Sequence, residues 1–224
     1  MKIGILGSGV VGQTIGAKLV DRGEDVMLDT RAPGRLDDKR GMGAPLAEWL
    51  ERTRNRARIG TFQEAAAHGD VVFNATSGAG SLEALALAGE RNLHGKILID
   101  IANPLDFSRG MPPSLTVCNT DSLGEQIQRA FPAVRVVKAL NTMTAQIMVD
   151  PALVAGGDHD VFVSGNDGAA KARVAELLTL WFGWRGAIDL GDITTARGTE
   201  MLLPIWLRLW GALGTPMFNF KIAR

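Results

Sequence analysis

The chain has 224 residues, room for one large domain or a large one with a small appendage. Its 24 basic residues match its 24 acidic ones, which argues against nucleic acid or an anionic membrane as the main partner, since both need a basic surface. With 46% hydrophobic residues it is expected to fold around a packed core. Its single cysteine, Cys118, allows neither an internal disulfide nor a cysteine-rich zinc site, so a reducing cytoplasm is the natural setting.

In chain order, Lys2–Leu6 reads as a short buried parallel strand that reaches glycine too soon for a signal-peptide core. Val10–Arg22 carries Ile15 and Leu19 at helical spacing and stops at Gly23. Val26–Leu28 is a second strand, Ala47–Arg54 a helix, Arg58–Thr61 a short strand and Gln63–His68 a helical turn or two. Val71–Ala75 and Ile97–Ile101 are β-rich runs, with helix Leu82–Ala88 between them. Ser122–Ala130 reads as a helix capped by Ser122, with Glu125 in the capping-box position, and Arg135–Ala139 as a sixth strand. Such alternation predicts an α/β fold, a Rossmann doubly wound parallel sheet, because parallel neighbours need crossover connections.

After Asn141, strands Val161–Ser164 and Ala187–Leu190 flank a long helix, Ala169–Trp181, a small C-terminal α/β extension. We divide the chain into a dinucleotide-binding domain, residues 1–140, and a substrate or dimerisation region, residues 141–224. Met201–Phe220 is strongly apolar. Arg208 in its middle and Pro204, Gly211, Gly214 and Pro216 break it, so it lacks the ~18-residue apolar run of a membrane span. A helix apolar on nearly every side must be covered, and the expected cover is a second subunit.

Gly7-Ser8-Gly9-Val10-Val11-Gly12 is the strongest chemical signal. It directly follows a predicted strand and opens a predicted helix, the context that dinucleotide binding requires. Gly7 permits the tight turn, Gly9 lets the backbone approach a pyrophosphate, and Gly12 allows close helix–strand packing. Free N–H groups at the helix start, with the helix dipole, favour the phosphate charge.

The end of the second strand selects the dinucleotide. Asp29 could take both ribose hydroxyls of NAD. If it points away, Thr30 and Arg31 face the ribose and suit the 2′-phosphate of NADP, which is the favoured reading. Arg35 and Lys39 read as solvated loop charges. Ligands bind at the carboxyl ends of strands in such sheets, so Asn74-Ala75-Thr76-Ser77-Gly78 and Asp100-Ile101-Ala102-Asn103-Pro104 are plausible contacts.

His68, His94 and His159 lack metal-ligand spacing and default to surface or turn positions. Cys118 has no basic neighbour in sequence and reads as structural. Arg197 and Glu200, one helical turn apart, read as an intrahelical pair. Trp181, Trp184, Trp206 and Trp210 are expected mostly in the core or a subunit interface.

With Lys138-Ala139-Leu140-Asn141-Thr142 the chain resembles the NADPH-dependent coenzyme F-420 reductase family and, more loosely, the cytoplasmic oxidoreductase domain of STEAP metalloreductases. The likeness spans the glycine loop, Thr30-Arg31, Asp100–Pro104, Val137–Thr142, Asp160–Asp167, Asp189-Leu190-Gly191, Ala196-Arg197 and Glu200. It implies hydride transfer between NADP(H) and a planar partner (coenzyme F-420, FMN or FAD) in a homodimer. By match, Gly7, Ser8, Gly9, Val10 and Val11 would hold pyrophosphate and ribose, and Thr30 and Arg31 the 2′-phosphate. Ala75, Thr76, Asn103, Ala139 and Asn141 would line the path to the nicotinamide. Archaeal members differ at Ser8-Gly9-Val10, at Thr76 and at Asn141, which bears on the second substrate more than on the dinucleotide.

Hydride transfer asks the protein to hold donor and acceptor face to face, so no residue is nominated as an indispensable acid or base. Two other classes compete. Imine or carbonyl reduction would want a proton donor, for which Lys138 is the best stand-in. A non-catalytic NADP(H) sensor would show an exposed apolar patch on a stable monomer.

Overall fold

Strand alternation sorts the apolar residues onto two faces of one sheet. Along β4 (Val71–Asn74), Val71 and Phe73 enter one core and Val72 the other; along β5 (Ile97–Asp100), Ile97 and Ile99 oppose Leu98 in the same way. Residues buried on both sides in this manner require helices on both faces. The computed structural model, which describes residues 1–37 and 43–224, has that arrangement.

Its first half contains β1 (Lys2–Leu6), α1 (Val10–Asp21), β2 (Asp25–Asp29), α2 (Leu46–Arg52), β3 (Arg58–Gly60) and α3 (Phe62–His68), followed after β4 by α4 (Ser81–Ala88), α5 (Glu90–Leu93) and β5. A small antiparallel hairpin, β6 (Leu105–Asp106) with β7 (Ser114–Leu115), precedes α6 (Leu123–Ala130) and β8 (Arg135–Ala139). The rest comprises α7 (Ala145–Val149), β9 (Phe162–Ser164), α8 (Gly168–Phe182), β10 (Ile188–Gly191), α9 (Ala196–Met201) and α10 (Leu203–Leu213). Sequence boundaries hold to within about two residues; the β6–β7 hairpin, built on two-residue strands, had no periodic signal.

The eight-stranded sheet runs β10-β9-β8-β5-β4-β1-β2-β3. It is parallel except between β8 and β9, where Lys138 faces Ser164 and Ala139 faces Val163 in antiparallel register. Strands from both sides of residue 140 therefore share one sheet. Its order reverses between β1 and β4, since β2 and β3 lie on one side of β1 and β4 on the other. That reversal opens a crevice at the carboxyl ends of β1 and β4, where open α/β sheets take their ligands.

α1 packs Ile15 and Leu19 into the first core. Gly16 lets α2 come close, because a Cβ there would lie 2.8 Å from the Trp49 ring, whose Nε1 donates to the Gln13 carbonyl at 2.8 Å. Trp181 and Trp184 are buried in the same core. His159, expected at the surface, is buried against the edge of Trp184, with Nε2 2.9 Å from the Pro151 carbonyl. Its surroundings come from distant segments that spacing does not reveal. Cys118, read as structural, is exposed.

Candidate functional site

A cleft of about 450 Å³ lies at the switch point, lined by Gly7, Ser8 and Gly9 after β1, Asp29 and Arg31 after β2, and Ala75, Thr76 and Ser77 after β4. Backbone requirements explain the glycines. Gly7 has φ +113°, and a Cβ on it would stand 2.3 Å from the Ala75 carbonyl oxygen. At Gly12 a Cβ would stand 1.9 Å from the Gly7 carbonyl oxygen, so this residue serves helix–strand packing. At Gly9 a Cβ would meet nothing within 4 Å, which leaves the main chain open on the side where a ligand approaches. Gly9 is also the N-cap of α1, with no side chain capping it and no acidic residue in the first turn. This arrangement fits a pyrophosphate.

Asp29, which borders the cleft, accepts a hydrogen bond from the Gly7 N–H and so braces the glycine loop. Thr30 is buried, and its hydroxyl accepts from the Ala32 N–H at 3.2 Å; with Arg31 it borders a side recess of about 310 Å³ toward Phe62 and Leu87. Arg31 is exposed at the cleft, forms no ion pair among the described residues, and its guanidinium reaches within 3.8 Å of a Cβ placed on Gly80. Lys39 lies outside the described residues; Arg35 is exposed in the loop.

Beyond Ala75, Thr76 and Ser77, which border both spaces, a second chamber of about 390 Å³ opens. Its walls are Val11, Ile101, Ala102, Leu105, Phe107, Met143, Met148, Leu203 and Trp206, with Asn103 and Asn141 as its amides. These amides hold each other: Asn141 Nδ2 donates to Asn103 Oδ1 at 3.0 Å, and Asn103 Nδ2 to the Asn141 carbonyl at 2.8 Å. None of the described residues that line this chamber is ionisable.

Beneath the shared wall runs a buried polar network. Lys138 Nζ bonds Asp100 Oδ2 at 2.9 Å, Glu200 Oε1 at 2.8 Å and the Ala102 carbonyl. Burial alone would lower the Lys138 pKa, but the two carboxylates outweigh it and hold the ammonium above its ordinary value. Glu200 also accepts from the Leu123 and Gly124 N–H groups at 2.8 and 3.0 Å, so the start of α6 helps to neutralise it. Asp100 Oδ1 accepts from Asn74 Nδ2 at 2.8 Å, and Asn74 Oδ1 takes the Thr76 hydroxyl proton at 2.7 Å. The network thus anchors α9 to the sheet and orients Thr76 at the junction of the two spaces.

The structure corrects three expectations. Arg197 and Glu200 do not pair within their helix: Arg197 grips Glu125 through Nε and Nη2 at 2.8 and 2.6 Å, while Glu200 turns to Lys138. The desolvated Lys138 ammonium offers Glu200 a stronger partner than the half-buried Arg197 guanidinium. Lys138, the stand-in proton donor, is fully consumed by its ion triad and lines neither space. The Glu125 carboxylate, expected to close a capping box on the Ser122 backbone, instead accepts from the Ser122 hydroxyl at 2.8 Å and from Arg197.

Of the sequence-derived site residues, Gly7, Ser8, Gly9, Arg31, Ala75 and Thr76 come together in the cleft, and Val11, Asn103 and Asn141 in the chamber. Val10 faces a separate groove with Gln13 and Trp49, Gly12 is buried, and Thr30 borders the side recess. Ala139 is wholly buried in the sheet core and borders neither space. Phe62, Met143, Met148 and Leu203 were missed as lining residues. They sit in ordinary apolar patterns, and nothing local separates a wall from a core.

Residues 2–104 match the family described as NADP oxidoreductase, coenzyme F420-dependent. The crystal structure of a candidate F420-dependent NADP-reductase from Arthrobacter sp. FB24 is 58% identical, covers 100% of both chains and superposes with a TM-score of 0.94. Metalloreductase STEAP3 of Rattus norvegicus is 32% identical over 213 residues; these are 92% of this chain, which spans only 38% of that protein. A reductive aminase from Aspergillus terreus, solved with NADPH and ethyl levulinate, is 16% identical, with 95% of this chain and 62% of that one covered and a TM-score of 0.64, a likeness of fold alone. No helix among the described residues is long and apolar enough to cross a membrane. With its full-length match to the Arthrobacter protein, the chain belongs to the coenzyme F420-dependent NADP oxidoreductase family, an NADP-dependent oxidoreductase by class.

Proposed function

We propose that the protein transfers hydride between NADP(H) in the switch-point cleft and a planar deazaflavin (coenzyme F-420) or flavin in the apolar chamber. The observation that carries this reading is the shared wall: Ala75, Thr76 and Ser77 border both spaces, so ligands in each would meet there. The dinucleotide supplies the hydride when bound; the protein holds donor and acceptor face to face. Gly7, Ser8, Gly9 and Val11 would hold pyrophosphate and ribose, with Val10 shaping the helix start. Arg31, beside Thr30, would take the 2′-phosphate. Asn103 and Asn141, their amides mutually fixed, would face the nicotinamide end.

An ionisable-free chamber suits an acceptor that draws its proton from solvent. Imine or carbonyl reduction would gain from an acid at the reacting atom, and Lys138 is withdrawn from that role. We further propose that residues 1–140 bind the dinucleotide, while 141–224 complete the chamber and pair two subunits. Ile205, Trp210 and Leu213 of α10 are 47%, 37% and 57% exposed, an apolar face that a second copy would cover.

The test is NADPH oxidation by purified protein with F-420, FMN, FAD and a cyclic imine offered in parallel. Turnover with F-420 or a flavin is expected. Turnover with the imine alone would reassign the acceptor. Tight NADPH binding without turnover, on a stable monomer, would favour a sensor.

A further inference from the structure

An open groove of about 620 Å³ lies between the loop that joins β6 to β7 and helix α10, bordered by Met111, Pro112, Leu207, Arg208, Trp210 and Gly211. It adjoins the apolar chamber: the Trp206 ring of the chamber wall and the Trp210 ring of the groove pack with centroids 5.5 Å apart. Leu203 in the chamber and Leu207 in the groove stand one helical turn apart, about 5.4 Å along the axis. Arg208 is the one charged residue between Met201 and Phe220. It is exposed, borders this groove, and forms no hydrogen bond or ion pair among the described residues. Arg56, Arg58, Arg129 and Arg173, exposed as well, each hold a carboxylate.

A guanidinium is weakly hydrated and takes phosphate through paired N–H donors, and apolar walls strengthen that attraction by lowering the local dielectric. None of the described residues that line the groove is acidic, so Arg208 brings an uncompensated positive charge to it. We infer that the groove is a subsite for the anionic side chain of the hydride acceptor, with Arg208 binding its phosphate while the ring occupies the chamber. The inference rests on the chamber being the acceptor site. One helical turn is a distance that the short polyol joining ring to phosphate in FMN and F-420 can span. The substrate class follows: flavins or deazaflavins that carry a phosphate are preferred over the same rings without one.

Two matched pairs of acceptors test this: FMN against riboflavin, and F-420 against its phosphate-free deazariboflavin core. In wild type the phosphorylated member of whichever pair turns over should have a KM about tenfold lower. Arg208→Gln should bring that ratio close to one by raising the KM of the phosphorylated member. A ratio near one in wild type, or one that the substitution leaves unchanged, overturns the inference while hydride transfer stands. A rise in KM for both members together, with dissociation to monomers in light scattering, assigns Arg208 to a subunit interface and overturns it equally. Failure of wild type to reduce any of the four overturns the proposed function and this inference together. Should the variant not fold, wild type alone decides. Its preference for the phosphorylated member should shrink as salt rises above ~0.15 M, because an exposed ion pair is screened; a preference indifferent to salt overturns the inference.

Discussion

The two adjoining spaces are built from different materials. The glycine loop forms one wall of the cleft, and three glycines of the motif have separate steric roles: φ at Gly7, open approach at Gly9 and helix–strand packing at Gly12. The chamber beyond Thr76 is lined by residues of α1, β6, α7 and α10 and of the segments that follow β4, β5 and β8. Backbone recognises what all dinucleotides share, the pyrophosphate; side chains recognise what distinguishes one acceptor from another. The cleft should therefore be intolerant of added carbons and nearly indifferent to side-chain chemistry, and the chamber the reverse.

The sharpest test of that contrast is at Gly7. Gly7→Ala forces a Cβ to 2.3 Å from the Ala75 carbonyl at a φ that disfavours side chains, and should weaken NADPH binding by about 100-fold or more by fluorescence titration. Ser8→Ala should change it by no more than about threefold, because the loop's N–H groups remain. Comparable effects of the two would break the backbone assignment.

Next in size is the network beneath the shared wall. Lys138→Met leaves the Asp100 and Glu200 carboxylates buried without their cation and should cost about 3–5 kcal/mol in urea unfolding. Adding Glu200→Gln should recover part of that loss. The raised Lys138 pKa fixes the sign with pH: its contribution is complete below the unfolded lysine value near ~10.4 and is lost as pH rises through the higher folded value. Wild-type stability should therefore fall in strong alkali more steeply than that of the double variant.

Arg31→Ala sharpens the choice of dinucleotide, raising the Kd for NADPH roughly tenfold or more while leaving NADH nearly unchanged. Equal losses for both would remove the 2′-phosphate assignment. Ile205→Glu places a charge on the apolar face of α10 and should convert a dimer to monomer in light scattering at micromolar concentration. A wild-type monomer would dispose of the pairing.

The smallest expected effect concerns the clamp between α6 and α9. Arg197 holds the Glu125 carboxyl below its ordinary pKa against the opposing effect of burial. A depressed carboxylate stabilises above the unfolded value near ~4.3, and that contribution is lost as pH falls through the lower folded value. Glu125→Gln should lower Tm by on the order of a few degrees at pH 7, and the gap should close in acid.

The sheet, the glycine loop and the strand ends that carry Arg31, Thr76 and Asn103 were legible in the sequence. Alternation, helical spacing and glycine chemistry are local, and each acts over a handful of residues. Tertiary structure alone decided where isolated polar residues went. Asp29 borders the cleft and braces Gly7 there; Glu200 could have paired with Arg197 but meets Lys138 from strand β8. The Trp206 indole meets no acceptor among the described residues, while those of Trp49, Trp181 and Trp184 find theirs. A buried donor, acceptor or charge takes whichever partner the packed chain brings within reach, and that partner can lie anywhere in the sequence. Local pattern therefore determines the frame, and long-range packing determines the partners that give the site its selectivity.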